Sequence, residues 1–329
     1  MAPENPAKVR FTRLLQVVLF VRDLKQTMDD YWRFLGIGPW DIYDWEAPLA
    51  YDLKHRDQPA QARERLAFAT VGNMEFEVIE HIEGDSFYAD YIEEHGEGVH
   101  QLDFDARDVD RISDTLVREG FTRLQSGRFG DNGAYAIMDL IPLHATWEPC
   151  RMADNMSKEP VRYLDRAQSP AKIKATGINT IALAVKDLTK TMESYWRILG
   201  IGPWDIYHWG TPLVYDFEYR GKSVTPSEKM AITRLGEDLY LELYQPVGHD
   251  SCFWEFLKER GEGIHHLGFA VSDVDYAVKS MREQGFTCRQ RGRFGDHGAF
   301  AYLDLEPLHV TWEVYRDPDN WGIAPTRYP

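Results

Sequence analysis

Residues 31–43 read YWRFLGIGPWDIY, and residues 195–207 read YWRILGIGPWDIY. A second pair follows: GRFGDNGAYAIMDLIPLHATWE at 127–148 returns as GRFGDHGAFAYLDLEPLHVTWE at 292–313. The offset is 164 before residue 45 and 165 after residue 77, so the copies align almost without gaps. Self-similarity at one long period marks a duplicated structural unit. With 329 residues, each copy is long enough to bury its own core. Residues 152–175 are polar and carry two prolines, the composition of a linker. The spacing predicts a tail at 1–12, a first domain at 13–151, a linker at 152–175, a second domain at 176–318 and a tail at 319–329.

Each copy repeats a shorter rhythm. An apolar strand, Leu14 to Val21, runs into Asp23, a natural helix N-cap. Leu24, Met28, Tyr31, Trp32 and Leu35 recur at helical spacing, and Gly36 suits the left-handed residue that ends a helix. Strand-like stretches follow, among them the alternating Met74-Glu75-Phe76-Glu77-Val78. After a helix near 86–95 the scheme restarts with a strand at 99–105, Asp108 as the next cap and a Val109, Ile112, Leu116 stripe ending at Gly120. Strands near 122–127, 133–139 and 143–149 complete the copy. The order βαβββ thus occurs twice per copy, and helices on one side of a sheet make the class α+β.

Composition narrows the partners. The net charge of −16 repels phosphate backbones and anionic membranes, so neither nucleic acid nor a membrane surface is expected. No apolar run approaches a membrane span, and the opening MAPENPAKVR has no signal-peptide core. Cys150, Cys252 and Cys288, odd in number and far apart, speak against a disulfide framework, which leads to the expectation of a cytoplasmic protein. Seventeen Tyr, sixteen Phe and ten Trp suit a pocket with aromatic walls.

The doubled βαβββ order, with GEGVH (96–100) and GEGIHH (261–266) opening the second module, resembles the vicinal-oxygen-chelate superfamily. INTIALAVKD (178–187) and GIHHLGFAVSDVD (263–275) are most similar to its methylmalonyl-CoA epimerase and glyoxalase I branches. The resemblance implies two tandem domains, each of two βαβββ modules forming a cupped mixed or antiparallel sheet. It also implies a concave face presenting four metal ligands. Those positions fall on Gln16, Glu77, Gln101 and Glu148 in the first copy and on Thr180, Glu242, His266 and Glu313 in the second. The first copy departs from the family pattern at the third position and the second copy at the first. A set crossed between copies, Gln16, Glu77, His266 and Glu313, restores Gln/Glu/His/Glu. The rival arrangement keeps Glu242, His266 and Glu313 in one cup with Thr180 as a poor fourth.

Alternation supports an inward polar face independently of any family. His144, Thr146 and Glu148 share one side of a strand and Trp147 takes the other, a pattern that His309, Thr311, Glu313 and Trp312 repeat. A buried carboxylate needs a partner, and a cation is a common one. One imidazole among oxygen donors suits a divalent zinc, nickel, cobalt, manganese or magnesium ion. His265, next to His266, faces the opposite side if the strand is regular.

A Lewis acid gripping a carbonyl eases removal of the neighbouring C–H proton. The expected activity is therefore that of a metal-dependent isomerase, epimerase or lyase on a small molecule, an aromatic one on the strength of composition alone, with Glu77 or Glu313 as base, or Glu242 if the cups are not crossed. Trp40 and Trp204 in the GIGPW turns, Tyr240 and Tyr244 beside Glu242, and Arg293 are candidate substrate contacts. Two other readings remain: a metal-free binding protein of the bleomycin-resistance type, and a ring-cleaving dioxygenase, which usually wants two histidines. A monomer is feasible because two copies share a chain, and a homodimer is the alternative.

Overall fold

The first unit opens with β1 (Leu14–Val21), α1 (Leu24–Leu35), β2 (Trp40–Trp45), β3 (Ala50–His55) and β4 (Gln58–Pro59). It continues through β5 (Ala62–Val71), β6 (Met74–Gly84), α2 (Phe87–His95), β7 (Gly98–Asp105) and α3 (Val109–Arg118). It ends with β8 (Thr122–Phe129), β9 (Gly133–Asp139), β10 (Thr146–Arg151) and β11 (Val161–Tyr163). This computed structural model describes residues 5–72 and 74–328. Residues 1–4 of the expected tail lie outside them.

The second unit repeats the order strand for strand. Its elements are β12 (Thr180–Ala184), α4 (Leu188–Ile198), β13 (Trp204–Gly210), β14 (Val214–Tyr219), β15 (Lys222–Ser223) and β16 (Ser227–Arg234). There follow β17 (Tyr240–Pro246), α5 (Cys252–Glu259), β18 (Gly263–Ala270), α6 (Val274–Arg282), β19 (Thr287–Phe294), β20 (Gly298–Asp304), β21 (Thr311–Arg316) and β22 (Thr326–Tyr328). Packing divides the chain into Lys8–Pro170 and the part from Ala171 onward, which also takes in the stretch ending at Ala7.

Each unit is one mixed sheet of eleven strands, in the order β11-β2-β5-β6-β1-β7-β10-β9-β8-β3-β4 in the first and the matching order in the second. The two modules abut where β1 runs antiparallel to β7, while β1–β6 and β7–β10 are parallel. Local chemistry sets the helices. The Asp23 carboxylate accepts a bond from the Gln26 N–H at 2.9 Å, and Gly36 ends α1 at φ 65°, where a side chain would strain the backbone. Leu24, Met28, Tyr31 and Leu35 are the buried stripe, with Tyr31 edge-on to Phe76 at 4.9 Å. Burial of each such side chain contributes about 1.5–3 kcal/mol. The other face of the sheet carries a separate core: Val18, Phe20, Trp45, Phe87, Tyr135 and Ile137 in the first unit, capped by α2. Trp209, Tyr244, Phe253, Phe300 and Tyr302, capped by α5, are its counterpart in the second.

The expected linker and tail are built into the sheets. Val161–Tyr163 pairs with Trp40–Ile42 as β11, and the Tyr163 hydroxyl bonds Asp29 at 2.7 Å. Thr326–Tyr328 pairs with Trp204–Ile206 as β22. The duplication therefore runs on through PVRY (160–163) and PTRY (325–328), whose strands supply an edge that polar composition concealed.

Candidate functional site

In the second unit, strand pleating turns Thr180, Glu242, His266 and Glu313 to one side. Ala182 sits opposite both Glu242 and His266, and Gly268 sits opposite both Thr180 and Glu313. One donor atom each from Glu242, His266 and Glu313 lies within 4.8 Å of the others, the single such cluster among the described residues. His266 is fully buried and its Nε2 comes 3.4 Å from Glu313 Oε2. This is no ion pair, because burial pulls the imidazole pKa down to about 3 and leaves it neutral.

The carboxylates lean the other way. Burial, then the nearby Asp317, pushes Glu313 up to about 8. Burial and Glu313 hold Glu242 well above the ordinary range, against a hydrogen bond from Tyr244. Buried Glu242 Oε2 and His266 Nε2 have no hydrogen-bond partner. Two buried carboxyl groups and a neutral nitrogen, converging and partly orphaned, form a donor set that fits a divalent cation.

His265 departs from the regular-strand expectation. The pairing of β12 with β18 steps from Ala182↔His266 to Leu183↔Ile264, so His265 is the extra residue of a bulge. The bulge brings both imidazoles together, Nδ1 to Nδ1 at 2.9 Å, with His265 lodged against Phe253 and Phe256 of α5. Gly268 is there for room: a Cβ would come within 2.7 Å of Glu313 Oε2. Around this floor stand Tyr240, Tyr244, Tyr207, Trp209 and Trp321, with Tyr207 and Trp321 stacked at 4.6 Å.

The first unit forms a cup at the same place with other chemistry. Gln16, Glu77, Gln101 and Glu148 line it, each 5% exposed or less. Gln101 Nε2 donates to Asp103 at 2.9 Å and to Glu148 at 3.1 Å, and Gln16 Nε2 donates to Glu75 at 3.2 Å. Burial pushes Asp103 to about 8, offset in part by the Gln101 bond. Burial first, then neighbouring carboxylates, raises Glu77 and Glu148 well above normal.

These positions correct the crossed ligand set. Gln16 and Glu77 stand in a sheet made wholly of first-copy strands, and His266 and Glu313 in a sheet made wholly of second-copy strands. The reason lies in the pairing of β1 with β7 of its own copy, Val18 opposite Gln101, and of β12 with β18, Ala182 opposite His266. The uncrossed rival set is the one the strands assemble.

Trp40 and Trp204 are fully buried on the helix side and line neither cup; Trp204 Nε1 bonds the Ile201 carbonyl at 3.2 Å. Arg293 pairs with Asp275 of α6, as Arg128 does with Asp110 at 2.7 and 2.8 Å, bracing helix to sheet, and neither arginine lines a cup. Tyr240 and Tyr244 do line the second cup. His144 and His309 sit in left-handed turns, at φ 57° and 54°, just before their strands and so outside the alternation. Sequence reading missed Asp103, Asp317, Trp209 and Trp321. The Asp103/Gly268 mismatch between otherwise aligned copies was the available signal.

Two curled sheets, each built from paired βαβββ modules with buried acids on the inner face, define a tandem vicinal-oxygen-chelate protein. The chain belongs to the Glyoxalase/Bleomycin resistance protein/Dioxygenase superfamily, whose model matches residues 15–137 and again 179–302. Among solved structures it is similar to a triple mutant of 4-hydroxymandelate synthase from Streptomyces coelicolor, at 17% identity and TM-score 0.60 over 96% of this chain and 95% of that one. A xylose isomerase-like TIM barrel/4-hydroxyphenylpyruvate dioxygenase fusion protein aligns at 12% identity and TM-score 0.53, over 97% of this chain and 51% of its own. The Mn(II)-bound glyoxalase from Novosphingobium aromaticivorans aligns at 13% identity and TM-score 0.50, over 94% and 84%. No curated protein matches the chain. No described helix is long and apolar enough to cross a membrane.

Proposed function

We propose that the second cup is the catalytic centre of a metal-dependent isomerase, epimerase or lyase that removes a proton beside a carbonyl of a small substrate. The observation that carries this reading is the convergence of Glu242, His266 and Glu313 with His266 Nε2 and Glu242 Oε2 left unpartnered. A divalent zinc, nickel, cobalt, manganese or magnesium ion held by these residues would supply Lewis acidity to the substrate carbonyl.

The protein's own groups do the rest. The Nδ1–Nδ1 contact of His265 and His266 admits one proton. Placed on His266, it leaves Nε2 as a lone pair aimed at Glu313, the form a ligand needs. Glu313 lies against that nitrogen, so Glu242 is assigned the base, acting through the carboxylate oxygen that the ion would leave free. Without an ion, burial and Glu313 hold a proton on Glu242; a bound cation would favour the ionised form that can accept one. Tyr240, Tyr244 and Trp209 wall the substrate from bulk water.

The test is C–H exchange in heavy water, read by NMR, for a panel of aryl hydroxyketones and 2-oxo acids with Mn(II)-loaded protein. Glu242→Gln is expected to slow exchange by about 10²–10⁴-fold. His266→Ala is expected to lose bound metal. Exchange that survives both substitutions in folded protein overturns the reading. So does oxygen consumption with any of these substrates, which would return the dioxygenase alternative.

A further inference from the structure

We propose that the first cup is a receptor for an organic ammonium ion carried on an apolar or aromatic body, and not a second metal centre. Its acid–base lining is one-sided: the carboxyl groups of Asp41, Glu75, Glu77 and Glu148 face it, and no described lysine, arginine or histidine does. The neutral lining also wants donors. Gln101 lines the cup and is 1% exposed; its Nε2 is spent on Asp103 and Glu148, and its buried Oε1 has no partner. Those two bonds fix the amide orientation, so the open position is an acceptor and calls for an N–H.

A bare metal ion fits poorly. The carboxylates here do not converge as Glu242, His266 and Glu313 do, since that triad is the one cluster within 4.8 Å among the described residues. The Gln101 N–H groups also occupy the ground between Asp103 and Glu148 that an ion would need. An ammonium ion has several N–H vectors and can satisfy acceptors that stand apart.

The walls suit what such a cation would carry. Trp45, Tyr88, Phe129 and Tyr135 are each buried to within a few per cent and line the cup. Aromatic faces attract cations and cover apolar bodies alike. The cavity volume, about 180 Å³, is that of a small organic guest rather than a single ion.

The probe is 2-phenylethylamine, titrated calorimetrically into the full chain beside its uncharged analogue 2-phenylethanol. The expected result is 1:1 binding of the amine at least tenfold tighter than the alcohol. Glu77→Gln should weaken the amine at least tenfold and Glu242→Gln should leave it unchanged. Should Glu77→Gln fail to fold, Glu75→Gln at the half-buried rim is expected to weaken it at least threefold. Equal affinity for amine and alcohol overturns the proposal. A loss caused by Glu242→Gln instead does the same, because the amine would then occupy the other cup. Competitive displacement of the amine by Mn(II) in the Glu242→Gln chain also overturns it, by returning the first cup to metal binding.

Discussion

Glu228 on β16 is 1% exposed, accepts a hydrogen bond from Ser251 at the start of α5, and leaves Oε2 without a partner. Burial pushes its pKa from 4.5 to about 7, against the lowering bond from Ser251. A carboxyl whose folded pKa is raised keeps its proton longer in the folded state than in the unfolded chain. Its contribution to stability is therefore full below about pH 4.5 and is lost as pH rises through about 7. Stability should fall between roughly pH 5 and 8, by on the order of 3 kcal/mol from this one group. Glu228→Gln, which keeps the shape without the charge, should flatten that slope and raise the melting temperature at pH 8 relative to wild type. Equal pH slopes for the two proteins in thermal melts would show that Glu228 ionises in the fold without penalty. This residue lies outside the ligand positions, so the effect is read without substrate or metal.

Elements tell a different story from residues. The βαβββ order, the caps at Asp23 and Asp108 and the end at Gly36 were legible, because helical spacing and capping chemistry are local. The bulge at His265 was not legible: one extra residue in a strand leaves no mark in an apolar run, yet it changes which imidazoles meet. The closing edge strands were hidden for another reason. β11 and β22 are three residues long, lie at sheet edges and are largely exposed, so they carry no alternation. Their segments still matter to the cups. In the second unit Trp321 stacks on Tyr207 at 4.6 Å and packs on Phe294 at 5.3 Å, while Arg327 reaches Asp205 at 2.8 Å in the open. Trp321→Ala should cost about 2–3 kcal/mol through lost ring packing. Arg327→Ala should cost less than about 1 kcal/mol, as exposed pairs do. Denaturant melts of the two variants decide; a larger loss from Arg327→Ala would mean that the ion pair, not the cup wall, holds the segment.

At the scale of the whole molecule, duplication preserved the scaffold and let the two floors diverge. Where the second copy has His266 and Gly268, the first has Gln101 and Asp103. The two pairs are interdependent in each case. Gly268 leaves Glu313 free to approach His266, whereas Asp103 takes up the Gln101 amide that stands in the imidazole's place. Candidate ligand positions were readable from the resemblance, but their grouping was not, because it depends on which β7-type strand pairs with which β1-type strand. The uncrossed grouping puts all the imidazole in one cup, and it predicts an uneven metal count. Equilibrium dialysis against Mn(II) should give one ion per chain, not two. His266→Ala should abolish it and Glu77→Gln should leave it at one. Metal at 100 times its dissociation constant should then stabilise the wild type by about 2.7 kcal/mol. It should do nothing for His266→Ala, since an ion can favour the folded state only through a site that the unfolded chain lacks. Two ions per chain, one of them lost with Glu77→Gln, would mean that oxygen donors alone suffice in the first cup and that its floor has diverged in sequence without diverging in chemistry.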